Sequence, residues 1–202
     1  MIKKIGIMGG TFNPPHIGHL FMAEFVRQEK NLDEIWFIPT GKVPHKETDA
    51  KVTAQDRLKM IQLATRDNPY FSVNAVEVES GEYSYTYKTI EFLNKEYPTY
   101  DFSFIVGADS LDYMDKWRNP KQIFDSCKII AVNRKGFSNQ EMEEKKSGLI
   151  KQYGGCIDII RMPVMGVSSS DIRDRVKSGN SIKYMVTDSV IEYIKANRLY
   201  LD

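Results

Sequence analysis

The chain has 202 residues, and its 28 Lys and Arg nearly balance 27 Asp and Glu, giving a net charge of +1. Its composition, 42% hydrophobic and 27% charged, excludes a disordered or fibrous protein. The small net charge argues against a nucleic-acid-binding protein, which would need a strongly basic surface. A site for a small polyanion needs only local positive charge, so this class of ligand is not excluded.

Length and cysteine content set further expectations. A chain of 202 residues suits one domain, and we predict a single domain spanning residues 1–202. Cys127 and Cys156 are too few for a disulfide framework, which predicts a reducing, cytoplasmic location. No stretch approaches 18 consecutive apolar residues, so we expect no membrane span.

Strand and helix patterns alternate along the chain. Near-continuous apolar runs predict strands that are buried on both faces of a parallel sheet. These runs are Ile2–Met8, Ile35–Ile38, Phe71–Val78, Phe102–Val106, Lys128–Val132 and Ile157–Ile160. Between them, helices are predicted around Leu20–Val26, after capping residues Thr53 and Ser138, and over Thr86–Glu96, Ser168–Lys177 and Thr187–Asn197. The alternation predicts an α/β fold with a doubly wound parallel sheet and helices on both faces.

The loop after the first run carries the strongest functional signal. Gly9 and Gly10 let the backbone approach a ligand, and His16 and His19 follow at a helix start, three residues apart. The free N–H groups at such a start favour phosphate, to which two imidazoles could donate hydrogen bonds. Histidines that only cap or pack the helix are the structural alternative. A zinc site lacks a third ligand nearby, and neither G-x-x-x-x-G-K-[ST] nor G-x-G-x-x-G is present.

This segment resembles the signature of a known superfamily. The sequence His16-Ile17-Gly18-His19 is similar to the H-x-G-H motif of the nucleotidylyltransferases, whose site design class I aminoacyl-tRNA synthetases share. The resemblance implies a Rossmann-like nucleotidylyltransferase fold. It also implies that both histidines bind a nucleotide triphosphate and stabilise the transition state of attack at the α-phosphate.

A second helix start late in the chain resembles one family within this superfamily. Val167 to Arg173 is similar to the I-S-S-T-x-I-R motif of nicotinate mononucleotide adenylyltransferases. Ser169 and Ser170 offer hydroxyl and N–H groups, and Arg173 can bind phosphate with two N–H groups. Taken alone, a serine-rich helix cap is commonplace, so the pairing with the first loop carries the interpretation.

Three further segments resemble the same family. Gly107-Ala108-Asp109, with Trp117 eight residues later, is similar to its G-A-D motif, in which Asp binds ribose and Trp stacks on the pyridine ring. The stretch from Tyr85 to Ile90 is similar to Y-T-x-x-T-L, which implies that Thr86 helps bind the nicotinate. Lys42 and the loop Pro44-His45-Lys46 resemble the cationic P-H-K loop near the phosphates. The structural alternatives are a packing role for Trp117, a helix cap at Asp109 and a solvated turn at Lys42–Lys46.

Two positions depart from the family pattern. Asn13 occupies a position where the family usually has Asp, which weakens the case for a carboxylate there. Asn133-Arg134-Lys135-Gly136 replaces x-R-P-G, so that Arg134 is kept and the proline is lost. The resemblance implies that this loop lies beside the adenine and phosphates of ATP.

The resemblance implies an adenylyltransferase that joins ATP and nicotinate mononucleotide into deamido-NAD and pyrophosphate. The implied catalytic residues are His16, His19 and Arg173. The implied ATP-binding residues are Gly9, Gly10, Thr11, Phe12, His16, His19, Lys42, Gly107, Asp109, Arg134, Ser169, Ser170 and Arg173. The implied nicotinate mononucleotide-binding residues are Thr11, Tyr85, Thr86, Asp109 and Trp117.

The cofactor and partner expectations follow from the same reaction. Mg²⁺ is expected on the ATP phosphates, without protein ligands. The two substrates are the expected partners, without nucleic acid or membrane, and a homo-oligomer is left open. The alternatives are nicotinamide mononucleotide or phosphopantetheine as the acceptor, and a nucleotide-binding regulator without turnover. A class I synthetase is disfavoured by the chain length and by the lack of Lys-Met-Ser-Lys-Ser.

Overall fold

The frame of the fold is a six-stranded parallel sheet flanked by helices. The computed structural model describes residues 2–42, 52–133 and 138–201. The strands are β1 (Lys3–Gly10), β2 (Glu34–Pro39), β3 (Phe71–Val73), β4 (Tyr100–Gly107), β5 (Lys128–Asn133) and β6 (Ile157–Arg161). Their order in the sheet is β3-β2-β1-β4-β5-β6. The doubly wound, Rossmann-like α/β fold expected from the sequence is therefore confirmed.

Helices follow the strands along the chain. They are α1 (Ile17–Glu29), α2 (Ala54–Thr65), α3 (Val76–Ser80), α4 (Thr86–Glu96), α5 (Ala108–Leu111), α6 (Pro120–Ser126), α7 (Asn139–Tyr153), α8 (Ser169–Lys177) and α9 (Asp188–Ala196). A short 3₁₀ turn spans Met114–Lys116. Within the described ranges, no helix has both the length and the apolar character needed to cross a bilayer.

Local sequence signals set several helix boundaries. At the start of α2, the hydroxyl of Thr53 accepts from the N–H of Asp56, whose carboxylate accepts from the N–H of Thr53. Ser138 and Glu141 form the same reciprocal pair before α7. Each pair satisfies backbone donors that the first helical turn leaves without intrahelical partners. The two predicted capping residues are therefore confirmed.

One predicted strand is wrong in its second half. Only Phe71–Val73 of the expected run Phe71–Val78 is a strand, and helix α3 occupies Val76–Ser80. Asn74 still donates its N–H to the carbonyl oxygen of Phe37, but its side chain accepts from the N–H of Val76 and turns the chain. Asn side chains commonly divert the backbone in this way, and this bond outweighs the β propensity of the valines that follow.

The strand order places a topological switch point between β1 and β4. From β1 the chain adds β2 and β3 on one side, and then continues with β4 on the other side of β1. The parallel register pairs Ile7 with Phe104, and β4 in turn pairs with β5, Gly107 lying opposite Val132. In open α/β sheets, ligands bind beyond the carboxyl ends of the strands at such a point.

The chain divides into two compact units. The first unit comprises Met1–Gly9, Phe25–Ile35 and Tyr85–Val164, and the second comprises Gly10–Glu24, Trp36–Ser84 and Met165–Asp202. In the first unit, Ile105, Ile129 and Leu111 are at most 3% exposed. In the second unit, α2, α8 and α9 share an apolar core that includes Met60, Ile172 and Val190. The prediction of a single domain stays a prediction.

Candidate active site

The two histidines of the first loop form a stacked pair in the second unit. His16 immediately precedes α1 and is 5% exposed, whereas His19 lies in the first turn and is half-buried. Their ring centroids are 3.7 Å apart, with an angle of 25° between the planes. The expectation that three-residue spacing brings both rings to the same side is confirmed.

A hydrogen bond fixes which nitrogen of His19 can donate. The backbone N–H of His16 donates to Nδ1 of His19 at 3.2 Å. Because Nδ1 accepts, a neutral His19 ring carries its proton on Nε2. In this tautomer the Nε2–H group is the donor of the ring, the kind of group that can bond an anionic oxygen.

Gly18 lets the helix backbone come close to the His16 ring. A Cβ atom at Gly18 would lie 3.0 Å from Nδ1 and 3.1 Å from Cε1 of His16. These distances are shorter than ordinary van der Waals contacts. A larger residue between the two histidines would therefore push the His16 ring from its position by a few tenths of an ångström.

The glycine-rich turn before the histidines is shaped by Phe12. Its backbone lies in the left-handed region with φ of 49°, which costs a non-glycine residue about 1 kcal/mol. The buried Phe12 ring contacts His19 edge-on at 5.1 Å and Phe37 at 5.9 Å. A Cβ atom at Gly10 would lie 3.1 Å from this ring. Phe12 is therefore a buried support for His19, and Gly10 leaves room for it.

Residues from the late helix start hold the first loop through its carbonyl oxygens. Arg173 donates from Nη1 to the carbonyl oxygen of Asn13 at 2.9 Å, and Ser169 donates from its hydroxyl to that of Pro14 at 2.8 Å. The hydroxyl of Tyr200 donates to Oδ1 of Asn13. The peptide bond between Asn13 and Pro14 is cis. The two motifs, more than 150 residues apart in sequence, thus lie side by side.

Helix α8 begins as the sequence predicts. The hydroxyl of Ser168 accepts from the N–H of Asp171 and caps the helix. Arg173 also donates from Nη2 to the hydroxyl of Ser170 at 3.2 Å, which places its guanidinium over the first turn. Ser169, Ser170 and Arg173 therefore surround a helix N-terminus, a favourable place for phosphate.

Arg57, which sequence reasoning missed, lies beneath the same loops. It extends from α2, is 1% exposed, and donates to the carbonyl oxygens of Thr11 at 2.9 Å and Gly41 at 3.1 Å. Burial lowers the pKa of Arg57. The electrostatic influence of Tyr200 and Glu77 acts in the opposite direction and raises it. One sequence signal could have revealed it: Arg57 is a charged residue on the inward face of α2, between Asp56 of the capping box and Leu58.

Lys42, a predicted phosphate ligand, is exposed at the end of the loop after β2. Its carbonyl oxygen accepts from the N–H of Ser84 at 2.8 Å, and the Ser84 hydroxyl accepts from the N–H of Gly41. These bonds fix the backbone of Lys42. The predicted residues Pro44, His45 and Lys46 lie outside the described residues, as does Arg134.

The G-A-D segment lies in the first unit, at the end of β4. Gly107 ends this strand and begins α5, and Asp109 is exposed in the first turn of that helix. Val106, the residue before Gly107, is a buried core residue of the strand. The segment therefore leaves the sheet at its carboxyl edge, next to the switch point.

The predicted nicotinate residues also lie in the first unit. Tyr85 is the N-cap of α4, and half-buried Thr86 is its first residue. The Trp117 ring meets Phe104 edge-on at 6.1 Å, and a Cβ atom at Gly9 would touch the same Phe104 ring. Arg118, next to Trp117, lies 5.0 Å from the Tyr85 ring centroid and donates to the Tyr85 hydroxyl. The two predicted nicotinate segments are therefore neighbours.

The chemistry of the second-unit site favours an anionic ligand. Its side chains around the stacked histidines are imidazole, hydroxyl and guanidinium groups, which donate hydrogen bonds. In the described part of the chain, no group of three or more His, Cys, Asp or Glu is placed to hold a metal ion. Such a donor set suits phosphate groups in a reaction whose transition state gains negative charge.

Comparisons with known proteins point to one family. Residues 7–175 match the family model described as cytidylyltransferase-like. A relative from Oceanobacillus iheyensis, a probable nicotinate-nucleotide adenylyltransferase, is 40% identical over 98% of this chain and 97% of its own length. One with the same description from Bacillus licheniformis is 38% identical over 98% and 99%. The Plasmodium falciparum nicotinic acid mononucleotide adenylyltransferase, solved with NaAD, covers 98% of this chain and 97% of its own, with TM-score 0.80 and 21% identity.

Proposed function

The chain belongs to the cytidylyltransferase-like family, and from this membership and the phosphate-type site we infer that it is a nicotinate-nucleotide adenylyltransferase. It transfers the adenylyl group of ATP to nicotinate mononucleotide, forming deamido-NAD and pyrophosphate in NAD biosynthesis. One observation carries the proposal: the stacked pair His16 and His19 lies on a loop that Ser169 and Arg173 of the second motif hold directly. Close relatives with the same description support the choice of acceptor.

The reaction requires positioning and charge stabilisation. An oxygen of the mononucleotide phosphate attacks the α-phosphorus of ATP, and the bond from that phosphorus to the bridging oxygen breaks as pyrophosphate leaves. Because the attacking phosphate is already an anion at neutral pH, no general base is needed. His19 donates from Nε2–H to oxygens that gain charge, and His16 stacks against it.

The remaining ATP contacts come from both ends of the chain. The triphosphate is bound by Lys42, Ser169, Ser170 and Arg173 and by backbone N–H groups of the turn from Gly9 to Phe12. The ring of Phe12 also supports the His19 ring. Gly107 and Asp109 bind the nucleotide at the end of β4, and Arg134 binds ATP from the loop after β5. These assignments rest on residue chemistry, on hydrogen bonds within the second unit, and on the family pattern.

The acceptor is read by a separate group of residues. Trp117 stacks on the pyridine ring, Thr86 and backbone N–H groups near it bind the nicotinate carboxylate, and Tyr85 lies beside them. Thr11 and Asp109 complete the contacts to the mononucleotide. The negatively charged carboxylate of nicotinate accepts stronger hydrogen bonds from these donors than the neutral amide of nicotinamide does. This difference favours nicotinate mononucleotide as the substrate.

The metal requirement follows from the substrate. Mg²⁺ prefers phosphate oxygens and water to a dedicated protein cage. Among residues 2–42, 52–133 and 138–201, no group of three or more His, Cys, Asp or Glu is placed to hold it. We therefore assign Mg²⁺ to the ATP phosphates, where it neutralises charge. A cytoplasmic location and a homo-oligomer stay predictions.

A direct assay tests the proposal. The protein is incubated with ATP and Mg²⁺ and with one acceptor at a time: nicotinate mononucleotide, nicotinamide mononucleotide or phosphopantetheine. Deamido-NAD and pyrophosphate are expected with the first acceptor, detected by mass. A faster reaction with another acceptor would identify that acceptor, and not nicotinate mononucleotide, as the substrate. ATP binding without pyrophosphate release would indicate a nucleotide-binding regulator.

His19→Ala tests the assigned chemistry. Loss of a donor to the developing negative charge should lower kcat on the order of 10²-fold or more, with the fold intact by circular dichroism. Gln152→Ala is the control, since Gln152 is exposed on α7, a helix to which we assign no substrate contact. A near-wild-type rate for His19→Ala would overturn the role of His19.

A further inference from the structure

A single buried guanidinium joins two of the loops assigned to the triphosphate. Nη1 of Arg57 donates to the carbonyl oxygen of Thr11 at 2.9 Å and to the hydroxyl of Thr40 at 3.3 Å. Nη2 donates to the carbonyl oxygen of Gly41 at 3.1 Å. Thr11 follows β1, whereas Thr40 and Gly41 follow β2. The cation therefore contacts the ends of two strands at once.

The first contact controls the orientation of one peptide plane. In a trans peptide the carbonyl group and the following N–H group point in opposite directions. Arg57 holds the carbonyl of Thr11, so the N–H of Phe12 points away from the guanidinium. Phe12 is also the residue held in the left-handed region, and its ring supports His19. Arg57 thus anchors the backbone immediately before the support of the catalytic ring.

The second contact fixes the approach to Lys42. The N–H of Thr40 donates to the carbonyl oxygen of Gly10 at 2.9 Å, and Gly41 packs so closely on the backbone of Glu77 that a Cβ atom there would overlap its carbonyl oxygen. Arg57 completes this clamp at the carbonyl of Gly41, one residue before Lys42. The glycine turn and the base of Lys42 are therefore held together by the backbone bond from Thr40 to Gly10 and by the Arg57 side chain.

Arginine suits this position for geometric reasons. Its planar fork presents five donors in fixed directions and can span acceptors on separate segments, whereas a lysine ammonium is a compact point charge. A buried cation is tolerated only when it is hydrogen-bonded and its charge is partly balanced. The carbonyl oxygens provide the bonds, and Glu77 and Tyr200 provide nearby negative potential.

We propose that Arg57 is a positioning residue for adenylyl transfer, because its guanidinium, together with the backbone bond from Thr40 to Gly10, holds the Gly10–Phe12 turn against residues Thr40–Lys42 beside the triphosphate. The inference rests on the proposed function. It assigns Arg57 no contact with the substrate. Of the residues assigned to nicotinate mononucleotide, Arg57 holds Thr11, whereas Thr86 and Trp117, which read the nicotinate, are assigned no dependence on Arg57.

Arg57→Lys is the central test, since it retains the charge and removes the fork. A misplacement of about 1 Å in a phosphate site can lower turnover on the order of 10²-fold, so we expect a fall of that order in kcat/KM for ATP. The KM for nicotinate mononucleotide should change less than the KM for ATP, because Arg57 holds Thr11 but neither Thr86 nor Trp117. Uniform destabilisation would instead alter both KM values to the same extent. Ile61→Val, at a fully buried apolar position of the same helix, is the matched control for lost packing.

Amide hydrogen exchange provides a readout independent of turnover. In Arg57→Lys the N–H groups of Thr40 and Gly41 should exchange faster than in wild type, whereas those of Leu149 and its neighbours in α7 should not change. If Arg57→Lys does not fold, Thr40→Val removes one acceptor, keeps the cation, and should produce the same pattern more weakly.

The outcomes separate the two hypotheses. Selective loss for ATP together with faster exchange at Thr40 and Gly41 supports the positioning role. Unchanged exchange, a kcat/KM for ATP near wild type, or equal losses for both substrates that follow the melting temperature as in Ile61→Val, would overturn it. A wild-type protein that forms no deamido-NAD removes the proposed function, and the exchange data still decide whether Arg57 anchors both loops.

Discussion

At the scale of single residues, Gly18 offers a sharp test of how the histidine pair is built. Alanine normally stabilises a helix relative to glycine by about 0.5–1 kcal/mol. At position 18 the new Cβ would instead press on the His16 ring at 3.0 Å and shift the stack with His19. We therefore expect Gly18→Ala to leave the unfolding free energy within about 1 kcal/mol of wild type and to lower kcat by roughly tenfold.

Gly148→Ala is the matched control for this substitution. Gly148 lies inside α7, and nothing is within 4 Å of a Cβ atom added there. The variant should gain the ordinary helix stabilisation and keep the wild-type kcat. Equal kinetics in both alanine variants would show that the His16 ring tolerates the added methyl group.

At the same scale, sequence reasoning found the residues whose signal is local and missed the one whose role depends on distant segments. The His16–His19 spacing and the Ser168 cap depend on residues within one helical turn, and both were predictable. Arg57 lies between 16 and 46 residues from its acceptors. Its place on the inward face of α2, beside Leu58, was the local signal, but the bonds that define its role arise from the tertiary arrangement.

At the scale of helices, the cap of α8 links stability to phosphate binding. Replacing an N-cap serine by alanine costs about 1 kcal/mol of stability and loosens the first turn. In α8 that turn carries Ser169 and Ser170, so Ser168→Ala should also raise the KM for ATP several-fold. Chemical denaturation and steady-state kinetics measure the two effects.

Ser138→Ala separates the two consequences of a lost cap. The Ser138 hydroxyl caps α7 by accepting from the N–H of Glu141, as the Ser168 hydroxyl accepts from that of Asp171, and we assign α7 no substrate contact. It should lose similar stability while its KM for ATP stays unchanged. If both variants raise the KM equally, the loss reflects general destabilisation and the α8 N-terminus does not bind phosphate.

At the scale of the whole molecule, the apolar runs predicted the existence of the strands better than their ends or order. All six runs contain a strand, but β3 stops at Val73 because Asn74 turns the chain. Helix α6 was not predicted, although Pro120 at its first turn is a favourable start. The order β3-β2-β1-β4-β5-β6 depends on pairing between distant segments, which periodicity does not encode.

The charge of the whole molecule leads to a final prediction about ionic strength. The net charge is only +1, so long-range attraction to polyanions is weak, whereas Lys42 and Arg173 supply positive charge locally. Because the Debye length falls from about 20 Å to about 7 Å between 20 and 200 mM NaCl, the KM for ATP should rise several-fold over this range. Sucrose, an uncharged solute, should have little effect.

Duplex DNA distinguishes this local attraction from a general affinity for phosphate. A short duplex presents many phosphates but needs an extended basic surface, which a nearly neutral chain does not predict. At 200 mM NaCl, micromolar duplex should leave the rate of deamido-NAD formation unchanged, measured with ATP near its KM. Strong inhibition by the duplex would show that positive charge extends beyond the two phosphate-binding loops and the α8 N-terminus. The expectation that the protein has no nucleic-acid partner would then be wrong.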